Sequence, residues 1–221
     1  MKRWAILLLV AVVSVYAGAA RAGTIPADVM WVVDTSGSMS GDIAEIKNRM
    51  IDFNTAMVNA GIDVHYGLTE FGGTSGNGSN SGTATLYQNP VPYATFVGGT
   101  PFTNLGASIG GDERGSYATS VGLTASFRSG SVINVILVTD EDDDSTVAQF
   151  NTANADLTAA DALFNFIGVP GVENTDARYG VLASNHGGAA FDIISFRSDP
   201  DSFFDNFIDT KIEEIQEHVI P

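Results

Sequence analysis

Short apolar runs alternate along the chain with stretches of helical periodicity, a pattern typical of a sheet covered by helices. Residues 29–33 predict a first buried strand, and the helix after it buries Ile43, Ile46, Met50, Phe53 and Met57. Polar alternation over residues 62–69 predicts a second strand, and the apolar residues 133–138 predict a third. A helix capped by Asp199, with Pro200 at its first position, is expected near the end of the chain.

Weaker patterns mark the remaining elements. They predict an edge strand at 83–87, an interrupted helix at 104–127, a helix at 155–163 and strands at 164–169 and 191–196. Residues 72–82 contain no apolar side chain, so we expect a mobile surface loop there, with a ligand-contacting loop as the alternative. We find no internal repeat and no second domain.

The N-terminus has the features of a secretory signal peptide. Lys2 and Arg3 precede an apolar run, and Ala20-Arg21-Ala22 places small residues where signal peptidase cleaves. We therefore expect residues 1–22 to be removed and residues 23–221 to form the domain, in a secreted, periplasmic or cell-surface protein without membrane insertion after cleavage. A membrane anchor is the alternative, although the uncharged stretch is barely long enough to span.

Charge and cysteine content restrict the classes of partner. Cleavage would leave 7 basic residues against 26 acidic ones and lower the formal charge from -16 to -19. Nucleic acid and anionic membranes need a basic patch, which this composition does not supply, whereas cations suit it. The absence of cysteine excludes disulfides, thiolate zinc sites and cysteine nucleophiles.

Candidate metal chemistry lies directly after the first strand, in Asp34-Thr35-Ser36-Gly37-Ser38. A strand-terminal acid followed by alternate hydroxyls and a helix presents three oxygen donors of the kind that hard divalent cations prefer. The alternative is a metal-free loop in which Ser36 and Ser38 only cap the helix.

Three segments taken in order resemble a von Willebrand factor type A domain with its metal-ion-dependent adhesion site. They are the Asp34 loop, residues 98–109 (GGTPFTNLGASI) and residues 135–140 (VILVTD). The resemblance implies a doubly wound, mostly parallel six-stranded α/β sheet with helices on both faces and one short antiparallel edge strand. It also implies that Asp34, Ser36, Ser38, Thr103 and Asp140 surround the ion, with Thr100 as the fallback for Thr103 and Asp140 acting mainly through a coordinated water.

The expected ion is Mg²⁺, with Mn²⁺ or Ca²⁺ as alternatives, and its shell would leave a position for a carboxylate. We therefore expect an exported, non-enzymatic domain that binds a protein or other ligand presenting an acidic group; its oligomeric state stays open. The alternatives are a scaffold with a purely structural ion and a hydrolase that uses the Asp34 loop. The hydrolase has little support, because His65, His186 and His218 are scattered and no second Asp-Thr-Gly accompanies the Asp34 loop.

An acidic run, Glu141 to Asp144, follows Asp140 where many members of the family continue with glycine. It is either a solvated acidic loop or a second cation site. An EF-hand is excluded, because Ser145 stands at the sixth loop position and Asn151 at the twelfth.

Overall fold

The computed structural model describes residues 24–171 and 175–219, with the side chains of residues 175 and 176 left out. The six strands are β1 (Ile25–Asp34), β2 (Ile62–Phe71), β3 (Ala84–Pro92), β4 (Val132–Val138), β5 (Leu163–Gly168) and β6 (Ala190–Asp192). They form one sheet in the order β3-β2-β1-β4-β5-β6. All neighbours are parallel except β2 and β3. The expected signal peptide lies outside the described residues.

Helices cover both faces of this sheet. They are α1 (Ser40–Asn59), α2 (Tyr93–Gly98), α3 (Thr100–Asn104), α4 (Gly115–Gly122), α5 (Val147–Ala160), α6 (Val181–Asn185), α7 (Ile193–Ser198) and α8 (Pro200–His218), with a π-helix at Thr175–Gly180. One core cluster joins the sheet to α1, α2, α3, α7 and α8, and a second joins it to α4, α5 and α6. None of the described helices has both the length and the apolar character needed to cross a membrane.

β1 shows why the sheet is buried on both faces. Val29, Trp31 and Val33 pack in the first core cluster, whereas Met30 and Val32 pack in the second. Successive side chains of a strand point to opposite faces, so a continuous apolar run is needed when helices lie on both sides. The expected fold class, a mostly parallel six-stranded α/β sheet with an antiparallel edge strand, is thereby confirmed.

The strand expected at residues 191–196 is present only over its first two residues. β6 ends at Asp192, and α7 begins at Ile193. The carboxylate of Asp192 accepts a hydrogen bond of 2.8 Å from the backbone N–H of Ile194, which caps a helix at this point. This local cap outweighs the strand preference of the apolar residues that follow.

Helix boundaries elsewhere also differ from those expected. Of the interrupted helix expected at residues 104–127, the main part observed is α4. The loop before α4 is not helical because its backbone groups bond to other segments: Ser108 N–H donates to Thr35 O, and Gly110 forms a bridge with Gly73. α5 begins earlier than expected, where Thr146 and Gln149 form a reciprocal capping box.

The edge strand is longer than expected, since β3 continues to Pro92. Pro90 lies within it, and proline is tolerated there because an edge strand has a neighbour on one side only.

The loop at residues 72–82 is anchored, contrary to the expectation of a freely mobile segment. Ser75, Asn77 and Ser79 all donate hydrogen bonds to the buried carboxylate of Glu70, and Ser79 itself is only 2% exposed. A buried carboxylate requires such donors, so the small polar residues satisfy Glu70 instead of remaining in solvent.

Candidate metal centre

Asp34 lies at the carboxyl end of β1, where the strand order reverses between β1 and β4. Ligands of open α/β sheets bind at such a switch point. The side chain is fully buried, and its Oδ1 accepts 2.7 Å from the backbone N–H of Ser36. Its Oδ2 accepts 2.8 Å from the hydroxyl of Thr139, the residue after β4. Asp34 therefore ties together the ends of the two central strands.

Three further side chains from the sequence prediction lie together at this edge. The hydroxyl oxygens of Ser36 and Ser38 are 3.3 Å apart, and Ser38 Oγ donates 2.9 Å to Asp140 Oδ1. With Asp34, they form a group of oxygen donors at the ends of β1 and β4. Among the described residues, no three acidic or histidine side chains form a metal-binding cluster by themselves. An ion at this edge would therefore depend on the serine hydroxyls.

The structure places Thr103 apart from this group. It is an exposed residue of α3, and its hydroxyl donates 3.1 Å to Thr100 O. Its carbonyl accepts 3.1 Å from Lys47 Nζ, which also donates 2.6 Å to Leu105 O. Within residues 24–171 and 175–219, no hydrogen bond joins Thr103 to the Asp34 group. Its role as a ligand stays a prediction.

The chain beyond α3 does reach the centre. Ser108 N–H donates 3.0 Å to Thr35 O, and the carbonyl of Ser108 lies 3.4 Å from a Cβ built on Gly37. Thr35 Oγ1 in turn donates to Phe71 O at 2.9 Å and Gly73 O at 3.0 Å. The Asp34 loop is thus held between the end of β2 and the loop that precedes α4.

Glu113 is an acidic side chain beside Asp34 that the sequence did not reveal. It is 6% exposed. A Cβ built on Gly72 would overlap Asp34 Oδ1 and lie 3.1 Å from Glu113 Cγ, so both acidic side chains cover the same face of this glycine. Gly72 has a φ of +81°, which also favours glycine. Glu113 follows Asp112 in a glycine-rich loop, and no periodic pattern marks it as part of a site.

The pKa values of both acids are raised, in each case mainly by burial. Burial raises the pKa of Asp34 from 3.8 to about 6, against the opposing effect of the Ser36 N–H and Thr139 hydroxyl, and the charge of Asp140 adds to the rise. Burial, together with the negative charges of Asp34 and Glu141, raises the pKa of Glu113 to about 7. A cation at this position would stabilise both ionised forms.

Arg197 of α7 is a second contributor that sequence reasoning missed. Its Nη2 donates 2.7 Å to Asp140 Oδ2, and its Nε and Nη2 donate to Asp42 in α1 at 2.9 and 2.5 Å. Asp140 is thereby held by Ser38 on one oxygen and by the guanidinium on the other. Part of its negative charge is neutralised within the protein.

The acidic run after Asp140 is partly structural. Asp143 is 1% exposed and accepts hydrogen bonds from Ser116, Ser145 and Arg178. Asp144 N–H donates 3.0 Å to Glu113 O, and its carboxylate accepts 2.9 Å from Glu113 N–H. Asp143 is therefore not a solvated side chain, and both residues connect this loop to the segment that carries Glu113.

Basic side chains of the described residues are all engaged within the protein. Six form ion pairs with acids: Arg49, Arg114, Arg128, Arg178, Arg197 and Lys211. The seventh, Lys47, donates to two backbone carbonyls. Each of these cations is thus bound by groups of the protein itself, and one of them, Arg197, adjoins the candidate centre.

Comparisons with known proteins bear on the fold. No protein-family model matches the chain, and no curated protein is significantly similar to it. A solved structure of an aerotolerance-related membrane protein from Bacteroides fragilis NCTC 9343, with multiple mutations to serines, is similar with a TM-score of 0.55. The two chains are 13% identical, and the match covers 85% of this chain and 99% of that one. The likeness supports a von Willebrand factor A-like fold and, at this identity, the fold alone.

Proposed function

We propose that this chain is an exported, Mg²⁺-dependent protein-interaction domain that captures an acidic group of its partner through the bound ion. The observation that carries the proposal is the convergence of Asp34, Ser36, Ser38 and Asp140 at the switch point of the sheet. Capping of α1 alone would not require Asp140, which lies 102 residues from Ser38.

The donor set fits a hard divalent cation. Every donor is an oxygen, and burial raises the pKa of Asp34, a carboxylate that a cation would keep ionised. Asp34, Ser36 and Ser38 would hold the ion, while Asp140 would act through a coordinated water that Arg197 and Ser38 help to place. Such an ion supplies an electrophilic position for an incoming oxygen. Mg²⁺ suits a small oxygen shell that retains waters, and Mn²⁺ and Ca²⁺ are the alternatives.

An acidic partner is compatible with the charge of the centre. Arg197 forms ion pairs with Asp140 and Asp42, so its positive charge compensates part of the negative charge near Ser38. A carboxylate that replaced a water on the ion would gain a close, partly desolvated attraction, which outweighs the more distant repulsion from neighbouring acids. We propose no catalytic role for this centre, and among the described residues no histidine is hydrogen-bonded to it.

The proposal is tested by capture of partners from the native envelope fraction. The purified protein and its Ser38→Ala variant are immobilised, each with Mg²⁺ or with chelator. Ser40→Ala provides the matched control, because Ser40 is an exposed serine two residues further on and has no hydrogen bond to the centre. We expect capture by the wild type and Ser40→Ala in Mg²⁺ only.

Two results would count against the proposal. Capture that survives both chelation and Ser38→Ala would place the interaction on another face of the domain. Loss of folding stability on chelation with unchanged capture would favour the scaffold with a structural ion.

A further inference from the structure

We propose that Glu113 is a ligand of the ion, in the role that the family resemblance assigns to Thr103. This inference rests on the proposed metal centre and identifies one more residue of its shell. It changes the chemistry of that position from a neutral hydroxyl to a carboxylate.

The course of the chain carries the first part of the argument. Thr103 is exposed on α3, with its hydroxyl engaged by Thr100 O. The following loop then crosses the Asp34 loop, where Ser108 N–H bonds to Thr35 O and Ile109 O accepts 3.2 Å from Thr74 N–H. Because the loop reaches the centre only after Thr103, its later residues are the ones placed to supply a ligand.

The position of Glu113 is fixed from outside the centre. Its backbone N–H donates to the Asp144 carboxylate, and its carbonyl accepts from Asp144 N–H. These two bonds connect it to the loop that follows β4 and carries Asp140. With the backbone held on that side, the Glu113 side chain lies over Gly72 against Asp34.

Among the described residues, no other side chain donates a hydrogen bond to the Glu113 carboxylate. Besides burial, the negative charges of Asp34, Glu141 and Asp144 raise its pKa. Glu113 is 6% exposed as a residue, and an acidic side chain so far withdrawn from water is costly to ionise unless a donor or a cation compensates it. Glu70, which is also buried, receives three side-chain donors from its own loop. The partner that Glu113 lacks is supplied by a cation shared with Asp34.

The charge balance of the centre is consistent with this assignment. Asp140 is paired with Arg197, so the carboxylates that remain to balance a divalent ion are those of Asp34 and Glu113. The serine hydroxyls are neutral donors, so the partner's acidic group would be the third carboxylate bound to the ion.

Titration calorimetry of the purified protein with Mn²⁺ and Mg²⁺ tests the inference. We expect Glu113→Gln to weaken ion binding by about 10-fold or more, in line with the loss of one supporting ligand. Asp112→Asn is the matched control: it removes the same charge from the adjacent residue, whose carboxylate is paired with Arg114, and it should change the affinity by less than about 3-fold. Thr103→Ala should behave like this control.

Two further measurements separate a ligand from a residue that only supports the fold. Water-proton relaxation should show about one additional water on Mn²⁺ in Glu113→Gln, because water takes the place of the lost ligand. In chelator, Glu113→Gln should unfold at an equal or higher denaturant concentration than the wild type, because it relieves the repulsion from Asp34. Glu113→Asp provides a second variant in case Glu113→Gln fails to fold. It keeps the charge on a side chain that is one methylene shorter, and we expect it to bind Mn²⁺ more weakly than the wild type.

The inference is overturned if Asp34→Asn and Ser38→Ala abolish ion binding while Glu113→Gln and Glu113→Asp leave it intact. It is also overturned if Thr103→Ala has the larger effect. If none of these variants alters ion binding, the proposed metal centre itself is wrong.

Discussion

Magnesium should stabilise the fold through Ser38. The oxygen donors come from the end of β1 and from beyond β4, so the unfolded chain does not hold them together. A ligand that binds only the folded state at about 100 times its dissociation constant raises the free energy of unfolding by about 2.7 kcal/mol. For a chain of this length, that corresponds to a rise in melting temperature of roughly 5 to 11 °C.

Ser38→Ala removes one ligand and the 2.9 Å hydrogen bond to Asp140. Without an ion, the loss of this partly exposed bond should cost at most about 1 kcal/mol, whereas in saturating Mg²⁺ most of the 2.7 kcal/mol increment should disappear as well. The assay is urea unfolding of wild type, Ser38→Ala and Ser40→Ala in chelator and in Mg²⁺. An equal response to Mg²⁺ in wild type and in the combined Asp34→Ala, Ser38→Ala variant would refute the reasoning and place the ion elsewhere.

Three other predictions concern the rest of the fold and the backbone of the centre. Arg128→Met should cost about 3 to 5 kcal/mol in urea unfolding, because it leaves the fully buried carboxylate of Asp28 without its ion pair, and a loss below about 1 kcal/mol would contradict this. Burial lowers the pKa of Lys211 from 10.5 to about 8, so the unfolded chain binds more protons between these values and stability should rise with pH across that window. The rise, measured between pH 8 and 9.5, should be absent in Lys211→Met; an identical slope would show that this lysine is not its source. Gly72→Ala should lower both stability and Mg²⁺ affinity, because the added Cβ meets Asp34 at a backbone with φ of +81°, and an unchanged calorimetric affinity would argue against that packing.

The central sheet was readable from the sequence because burial on both faces demands continuous apolar runs, as in β1 and β4. The long helices α1 and α8 were likewise predictable, from a buried stripe and from Pro200 after a capping acid. Local contacts that override propensity were not readable. The carboxylate of Asp192 begins α7 inside an apolar run, and the cross-loop bonds of Ser108 keep much of the segment before α4 from being helical.

Some residues of the candidate centre could likewise be predicted from the sequence, and others could not. Asp34, Ser36, Ser38 and Asp140 follow directly from strand ends, so their meeting could be predicted once the strand order was known. Arg197 and Glu113 depend on tertiary placement instead. One reaches Asp140 from α7, and the other is held by Asp144 through its backbone. Neither arrangement leaves a spacing pattern in the sequence.

The internal engagement of every described basic side chain has a kinetic consequence. With these cations held at fixed positions, the field that extends into solvent is dominated by acids, and an acidic partner is repelled before it reaches the centre. The attraction of a bound ion is strongest at contact, where its charge is least screened. Added monovalent salt screens the long-range repulsion more than the contact, so association with an acidic partner should become faster as ionic strength rises, the reverse of encounters steered by opposite charge.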